Sequence, residues 1–146
     1  MTTVAQILKS KPDQRVATIK PDSAVLEAIK LMAERNVGAL VVLDGEKVVG
    51  MVTERDYARK VALMARSSKD TPVRDIMTSR VMFVRPDQSN EECMGLMTEH
   101  RLRHLPVMDG ERMIGVVSIG DLVKDIISEQ KEIIQQLEHY IAGNLA

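Results

Sequence analysis

Apolar residues along this chain alternate between short continuous runs and longer stretches with helical spacing, and these changes define its elements. Short apolar runs bounded by turn residues predict strands, whereas apolar side chains at three- and four-residue spacing predict helices. Asp44-Gly45-Glu46 separates two of the runs and indicates a hairpin, because glycine supplies the positive φ that the turn needs. The pattern predicts a strand at 16–19, a helix at 24–35, strands at 40–43 and 47–52, and a helix from 54 to about 66.

The second half of the chain repeats this pattern, and residues 16–57 align with residues 81–122 without a gap. The identical pairs include Pro21/Pro86, Leu40/Leu105, Gly45/Gly110, Gly50/Gly115 and Asp56/Asp121. The repeat predicts a strand at 81–84, a helix at 89–101, strands at 105–108 and 113–117, and a final helix that Gly143 ends. Residues 73–77 resemble residues 4–8, so each unit is expected to begin with a short helix.

The expected fold class is α+β, with two β-α-β-β-α units packed against each other about a pseudo-twofold axis. A unit of about fifty residues has too little core to be stable alone, whereas a chain of 146 residues with 45% apolar content can bury one. The pattern divides the chain into a first repeat at 1–66, a polar linker at 67–72 and a second repeat at 73–146. Clefts where the two units join are the expected ligand sites.

Gly50 and Gly115 each open the same motif, in which a hydroxyl and then a carboxylate follow at the same spacing. The hydroxyls, Thr53 and Ser118, stand where a strand ends and a helix begins. One interpretation is a helix cap, in which the hydroxyl accepts a hydrogen bond from the first turn and the following Asp reaches back. The other is an anion site, since such helix starts point free N–H donors outward. The recurrence of the motif favours a role beyond capping.

Composition argues against several classes of function. The net charge of −1 lacks the basic footprint of a nucleic-acid binder, and two Tyr and one Phe offer no stacking platform for bases. No apolar run is long enough to cross a bilayer. A single cysteine and the lack of a signal-peptide pattern indicate a reducing cytoplasm, and Cys93 fits a small buried thiol. The sequence shows no Ser/His/Asp or Cys/His catalytic set, metal-ligand cluster or P-loop, so neither catalysis nor a metal site is predicted.

The final helix outlasts its counterpart in the first unit and carries apolar residues at helical spacing from Ile126 to Ile141. Such a stripe is typical either of a core helix that covers the domain or of a contact surface for another subunit, and both interpretations stay open. The apolar faces of this helix and of the helices after each motif exceed what one pair of units covers. We therefore expect a homodimer, with an interface on the order of 1,600 Å².

Together these features resemble the tandem cystathionine-β-synthase (CBS) domain pair, often called a Bateman module, over nearly the whole chain. Its marks occur twice, as Pro21-Asp22 and Pro86-Asp87 after the first strand, as Asp44-Gly45 and Asp109-Gly110 in the hairpin, and as the glycine, hydroxyl and carboxylate motif. The resemblance implies a sensor without catalytic activity. Such a sensor binds AMP, ADP, ATP, NAD or S-adenosylmethionine and signals to a protein partner, here unknown, by a change of shape.

The resemblance also implies which residues hold the ligand. Asp56 and Asp121 would accept hydrogen bonds from the ribose hydroxyls, with Thr53 and Ser118 beside the ribose and phosphate. Each Asp would work with strand entries of the other unit, so that Asp56 faces Met82, Leu102, Arg103 and His104, and Asp121 faces Ala17, Val37, Gly38 and Ala39. Adenine would lie between aliphatic side chains. The candidate nucleotide-binding set is completed by Arg55, Val116 and Gly120.

Positive charge within the aligned repeats predicts that the two clefts are unequal. The basic residues belong to the expected Asp56 cleft, and the matching positions of the Asp121 cleft are uncharged: Arg55 against Gly120, Arg103 against Gly38 and His104 against Ala39. We therefore expect phosphate to bind at Asp56 and poorly at Asp121. With an ordinary imidazole pKa near 6.5, His104 is expected to tighten AMP binding between about pH 8 and about pH 6.

Two other classes of function stay open beside a cytoplasmic regulatory module with an adenosine-containing ligand and no nucleic-acid or membrane partner. One is a ligand-free structural dimerisation scaffold, against which the intact Asp56 and Asp121 argue. The other is a small enzyme that acts on the bound nucleotide, which incubation with AMP, ATP and NAD would reveal as turnover.

Overall fold

The computed structural model describes residues 1–143, so residues 144–146 of the expected second repeat lie outside the described part of the chain. The first half contains α1 (Val4–Ser10), β1 (Thr18–Ile19), α2 (Val25–Arg35), β2 (Ala39–Asp44), β3 (Lys47–Thr53) and α3 (Glu54–Tyr57), which continues into a π-helical turn (Ala58–Ala62). A 3₁₀ turn (Val73–Asp75) precedes α4 (Asn90–His100), β4 (His104–Asp109), β5 (Arg112–Ser118) and α5 (Ile119–Ala142).

The two hairpins of the fold share their pairing. In β2–β3 Val42 pairs with Gly50, and in β4–β5 Val107 pairs with Gly115; a register shift follows directly after both positions. Gly45 and Gly110 adopt φ values of 64° and 65° in the turns, as the hairpin interpretation requires. The mixed helix and strand fold with two equivalent units and a long last helix is confirmed.

Each half builds its own core from one face of its strands. Leu40 and Val42 of β2 pack with the apolar face of α2, and Leu105 and Val107 of β4 pack with that of α4. Because strand side chains alternate, Ala39 and Val41 point to the opposite face of β2, where they are buried together with Met51 of β3. This second face packs against residues of both halves, Met113 and Val116 among them. The two halves therefore meet through their sheets.

The short helical segments cross between the two cores. Ile7 of α1 is 2% exposed and packs in the second core, whereas Ile76, after the 3₁₀ turn, is 0% exposed and packs in the first. Main-chain bonds fix the crossing, because Val4 N–H donates to Gln88 O and Val73 N–H donates to Ser23 O, both at 2.8 Å. This packing differs from the expected division at residue 66, which places α1 with the first repeat.

Two glycines make room for the crossing segments. A Cβ on Gly115 would lie 2.8 Å from Leu8 Cδ2, and one on Gly50 would lie 2.8 Å from Met77 Sδ and 2.9 Å from Thr78 O. A side chain at Gly50 would therefore displace the backbone of the segment that covers the hairpin, and one at Gly115 would displace the side chain of Leu8. The glycine that opens each motif thus has a packing role that the sequence pattern did not reveal.

Three of the expected boundaries were wrong. β1 begins at Thr18 instead of residue 16, and in the stretch 81–84 only Val84 forms a β-bridge, to Val107. The helix expected to reach residue 66 ends near Ala62, where a wider turn buries Val61 and lets Lys60 Nζ donate to Ile76 O at 2.9 Å. That bond to the crossing segment, together with the left-handed conformation of Ala65, accompanies the early end of the helix.

The last helix, α5, ends at Ala142 with Gly143 as its C-cap, as the sequence predicts. Its first turns pack on the second core, where Leu122 is 0% exposed. No helix within residues 1–143 combines the length and the apolar character that a membrane span needs.

Candidate functional site

Both motifs form complete capping boxes at the starts of their helices. Thr53 Oγ1 accepts from Asp56 N–H at 3.1 Å while Asp56 Oδ2 accepts from Thr53 N–H at 3.0 Å. Ser118 Oγ accepts from Asp121 N–H at 3.1 Å while Asp121 Oδ2 accepts from Ser118 N–H at 2.8 Å. The capping interpretation is therefore correct for the local structure. It leaves one or more carboxylate lone pairs of each Asp available for other partners.

A cavity of about 390 Å³ lies between the two halves beside Asp121. Its size falls within the range of roughly 300–1,000 Å³ that small-molecule sites occupy. The wall from the first half contains Ala17, Val37, Gly38 and Ala39, and the wall from the second half contains Val116, Ser118 and Asp121. The structure thus brings together the residues that the family resemblance grouped around Asp121, apart from Gly120, which is exposed and does not line the cavity.

The segment between α1 and β1 closes one side of this cavity. Lys11 Nζ lies 3.0 Å from Asp121 Oδ2 and donates to Val116 O at 2.9 Å. The side chains of Lys11 and Asp121 are 28% and 20% exposed, so this pair is partly screened from water. Gln14 Nε2 holds the segment in place by donating to the carbonyls of Leu8 and Lys11 at 2.8 and 2.6 Å. Lys11, a residue of the connecting segment, is therefore already paired with the carboxylate of Asp121.

Two arginines line the same cavity and share one carboxylate. Arg15 donates through Nε and Nη2 to the two oxygens of Asp13, each at 3.2 Å, and Arg35 Nη2 lies 3.6 Å from Asp13 Oδ2. The hydrogen bond from Arg15 is the main cause that lowers the pKa of Asp13 to about 2. Arg35 also donates to the carbonyl of Arg15 at 3.2 Å, which ties the segment to the end of α2. Arg15 and Arg35 therefore form a cationic edge of the cavity, and the carboxylate of Asp13 is already paired with it.

The other motif has a different environment. Asp56 is 8% exposed, accepts from Thr53 and lies 3.2 Å from Lys60 Nζ. Three residues expected to face Asp56, namely Met82, Leu102 and Arg103, do not line the Asp121 cavity, and neither do Thr53 and Arg55 of its own motif. Met82 and Leu102 pack instead against the second core, because they flank its apolar elements, and Arg55 and Arg103 are exposed. A ligand site at Asp56 stays a prediction.

His104 lies at the Asp121 cavity, on the wall that the second half contributes, so its expected place opposite Asp56 was wrong. His104 pairs with Ser118 across the β4–β5 ladder, and paired residues in adjacent strands point to the same side. Its imidazole lines the Asp121 cavity, and burial is the main cause that lowers its pKa below the ordinary value; Asp121 opposes that shift, and Lys11 and Arg103 add to it. Burial therefore disfavours the charged imidazole that was expected to tighten AMP binding between about pH 8 and about pH 6.

The lowered pKa of His104 predicts a stability change with pH. As pH falls below about 6.5 the unfolded chain protonates this imidazole before the folded chain does, so the free energy of unfolding decreases. We expect urea unfolding at pH 7.5 and pH 5.5 to show a larger loss of stability for the wild type than for His104→Gln. Equal losses for the two proteins would contradict the burial of a neutral imidazole at this position.

The segment at residues 11–15 and Arg35 are the functional candidates that sequence reasoning missed. The segment lies in the stretch before the first strand, which is four residues longer than its counterpart in the second repeat and falls outside the aligned repeats. Lys11, Arg15 and Arg35 give the Asp121 cavity positive charge that the aligned repeats do not contain. The signal available in the sequence was the pair of basic residues, Lys11 and Arg15, in the stretch that precedes the first strand.

Cys93 does not take part in the site. The thiol is 0% exposed in the second core, and burial raises its pKa to about 11. Among residues 1–143, no group of three or more His, Cys, Asp or Glu side chains is arranged to hold a metal ion.

Comparisons with known proteins agree with this fold. The CBS domain family matches residues 4–63 and 73–128, which is most of the chain. The chain is 42% identical over 150 residues to the CBS domain-containing protein CBSX3, mitochondrial, of Arabidopsis thaliana, covering 97% of this chain and 73% of that protein. The chain therefore belongs to the CBS domain family and forms a CBS domain pair, a regulatory module.

Two solved structures give the same fold. A protein with CBS domains from Burkholderia ambifaria is 60% identical, with a TM-score of 0.86, and the match covers 88% of this chain and 96% of that one. The CBS domain pair of protein MJ0100, in complex with 5-methylthioadenosine and S-adenosyl-L-methionine, is 27% identical, with a TM-score of 0.74, and covers 88% of this chain and 98% of that one.

Proposed function

We propose that this protein is a regulatory module that binds a phosphorylated adenosine ligand, such as AMP, ADP, ATP or NAD, in the cavity between its two CBS repeats. The observation that carries the proposal is the meeting of a carboxylate, a hydroxyl and a cationic edge in one cavity built from both halves. The ligand complex of the MJ0100 domain pair supports the adenosine part of the proposal. An apolar wall with few polar groups is also what small-molecule sites commonly present.

Asp121 is the proposed ribose residue. A carboxylate can accept from two vicinal hydroxyls at once, and hydrogen bonds to a charged group are worth about 1.5–3 kcal/mol each. Adenine would then lie against the small apolar residues Ala17, Val37 and Ala39, where the absence of bulky side chains leaves room for a ring. Asp121 must exchange Lys11 for the ribose, because both use the same carboxylate.

The exchange of Lys11 gives the module a means of signalling. Lys11 belongs to the segment that joins α1, packed in the second core, to β1, paired in the first sheet. A ligand that displaces Lys11 from Asp121 and Val116 changes the contacts of this segment and hence the fit between the two halves. We propose that occupancy reaches a partner protein through that change, since a ligand shifts a conformation only by its differential contacts.

The cationic edge is the proposed phosphate subsite. A phosphate can replace Asp13 as the partner of Arg15 and Arg35, because guanidinium forks bind phosphate oxygens as they bind carboxylates. Arg15→Ala is therefore expected to weaken AMP binding about 10- to 100-fold while leaving adenosine binding nearly unchanged. Titration calorimetry with AMP and with adenosine at fixed salt measures both.

A matched control exists for this substitution. Arg85 donates to Asp87 at 3.1 Å, the same short-range Arg–Asp pair on an exposed segment outside the cavity. Arg85→Ala should leave the affinity for both ligands unchanged. A loss of equal size for AMP and adenosine in Arg15→Ala would mean that Arg15 supports the cavity wall and not the phosphate. If Arg103→Ala weakens AMP binding more than Arg15→Ala does, the phosphate subsite lies in the Asp56 cleft instead.

A second adenosine site at Asp56 is a further part of the proposal. Asp56 carries the same capping box and is paired with Lys60, as Asp121 is paired with Lys11. Lys60 comes from the motif's own helix and not from the connecting segment. We therefore expect binding there to change the segment between the halves less than binding at Asp121 does.

A further inference from the structure

The second half of α5 lies outside the domain that it extends. The CBS family match ends at residue 128, and from Gln130 to Gly143 every residue of the chain is exposed. The exposed residues include large apolar side chains, with Ile134, Leu137 and Ile141 at 53%, 56% and 64% exposure. An isolated helix of this length is marginal in water, because helical stability in proteins comes mainly from packing of an apolar face. This stretch therefore needs a partner.

The apolar residues of this stretch follow the pattern of a coiled coil. Ile127, Gln130, Ile134, Leu137 and Ile141 alternate at spacings of three and four residues, which places them on one seam along the helix. Gln130 is the polar member of the seam, and such single polar positions specify how two helices align. The seam begins where α5 leaves its own core, since Ile127 is already 47% exposed.

The two flanks of the seam differ in chemistry, and the difference selects the partner. One flank carries Lys131 and Glu138, and the other carries Ile126, Ile133 and Tyr140. In a parallel pair of such helices opposite flanks meet, which would place the charged side chains against the isoleucines and the tyrosine of the other copy. In an antiparallel pair each flank meets its own kind. The pair then contains two equivalent contacts between Lys131 of one copy and Glu138 of the other, and the apolar flanks cover each other.

We propose that the exposed half of α5 pairs in antiparallel orientation with the same helix of a second copy of this chain, joining two CBS domain pairs tail to tail. The contact stretch from Gln130 to Ile141 spans about 17 Å at 1.5 Å per residue. In this alignment Ile134 packs on the partner's Leu137, and Gln130 lies opposite the partner's Ile141. The pairing is independent of ligand binding in the cavity.

Charge reversal tests the pairing on the full chain. Light scattering after gel filtration at micromolar concentration is expected to show that Lys131→Glu and Glu138→Lys each halve the assembly mass relative to the wild type, by placing like charges together. The double variant K131E/E138K is expected to restore the wild-type mass. Glu132→Lys, which reverses a charge on the outward face of the same turn, is the matched control and should have no effect. The same mass for all variants, or no restoration in the double variant, would overturn the proposal.

Cysteine crosslinking tests the orientation. A disulfide needs Cα atoms within about 7 Å, so only residues that face each other across the pair can be joined. Gln130→Cys and Ile141→Cys proteins, mixed and allowed to exchange subunits, are expected to crosslink to each other, while neither crosslinks alone. Cys93 is buried and does not compete. Crosslinking of either variant to itself would show a parallel pair, and no crosslinking in the mixture would show that these faces do not meet; both results contradict the proposal.

Discussion

Asp121→Ala lowers the affinity for AMP at the cavity between the repeats by about 100-fold or more, which is the largest effect that we expect from any single substitution on binding. The substitution removes the only carboxylate of the cavity that belongs to a helix start, and with it two proposed bonds to the ribose of about 1.5–3 kcal/mol each. Adenosine binding is expected to fall equally, because both ligands carry the same ribose. Titration calorimetry with AMP and adenosine measures the loss.

Asp56→Ala is the control for the structural role of the same side chain. Both substitutions remove one half of a capping box and one partner of a lysine, so both should cost about 1 kcal/mol of stability. Only Asp121→Ala should remove binding at the described cavity. A weaker second binding event that disappears with Asp56→Ala would support the second site. If Asp121→Ala binds both ligands as the wild type does, its carboxylate is a helix cap and no more.

Ile7→Ala lowers the free energy of unfolding by about 2–5 kcal/mol, the largest stability effect that we expect from the N-terminal region. Ile7 is 2% exposed among the residues of the second core, and truncation of such a side chain costs transfer free energy plus the energy of the cavity left behind. Urea unfolding measures the loss. Hydrogen exchange locates it, and the amides of β4 and β5 should lose protection first.

Lys9→Ala provides the comparison on the same helix. Lys9 is exposed on the opposite side of α1, so its truncation should change the free energy of unfolding by less than about 0.5 kcal/mol. If Ile7→Ala instead reduced protection in β2 and β3 alone, α1 would belong to the first core, as the simple division of the sequence into repeats suggests. The contrast therefore tests the crossing of the short helices directly.

The parts of the fold that could be predicted are those that the repeat itself encodes. The hairpins around Gly45 and Gly110, the helix starts at Thr53 and Ser118, and the end of α5 at Gly143 all rest on local turn and capping chemistry, and all were confirmed. The residues that the family resemblance groups around Asp121 line one cavity in the structure, apart from Gly120, because the resemblance carries the relation between the two units. Their role in binding is still a prediction.

What could not be predicted depends on contacts between distant segments. The crossing of α1 into the second core rests on the space that Gly115 leaves for Leu8, and a repeat alignment cannot show which unit fills it. The cationic edge was missed because Arg15 lies in a segment without a counterpart in the repeat. His104 was placed opposite Asp56 because the alignment gives no information on which side of a hairpin a residue faces.

Photoaffinity labelling with 8-azido-AMP, followed by mass spectrometry of the labelled peptides, tests the central claim most directly. A ligand that lies between the two repeats should label peptides from both, one containing residues 37–39 and one containing residues 116–121. Excess AMP should prevent both labels, and Asp121→Ala should abolish them. Labels that survive excess AMP, or labels confined to peptides outside the cavity, would contradict the account of this cavity as an adenosine site.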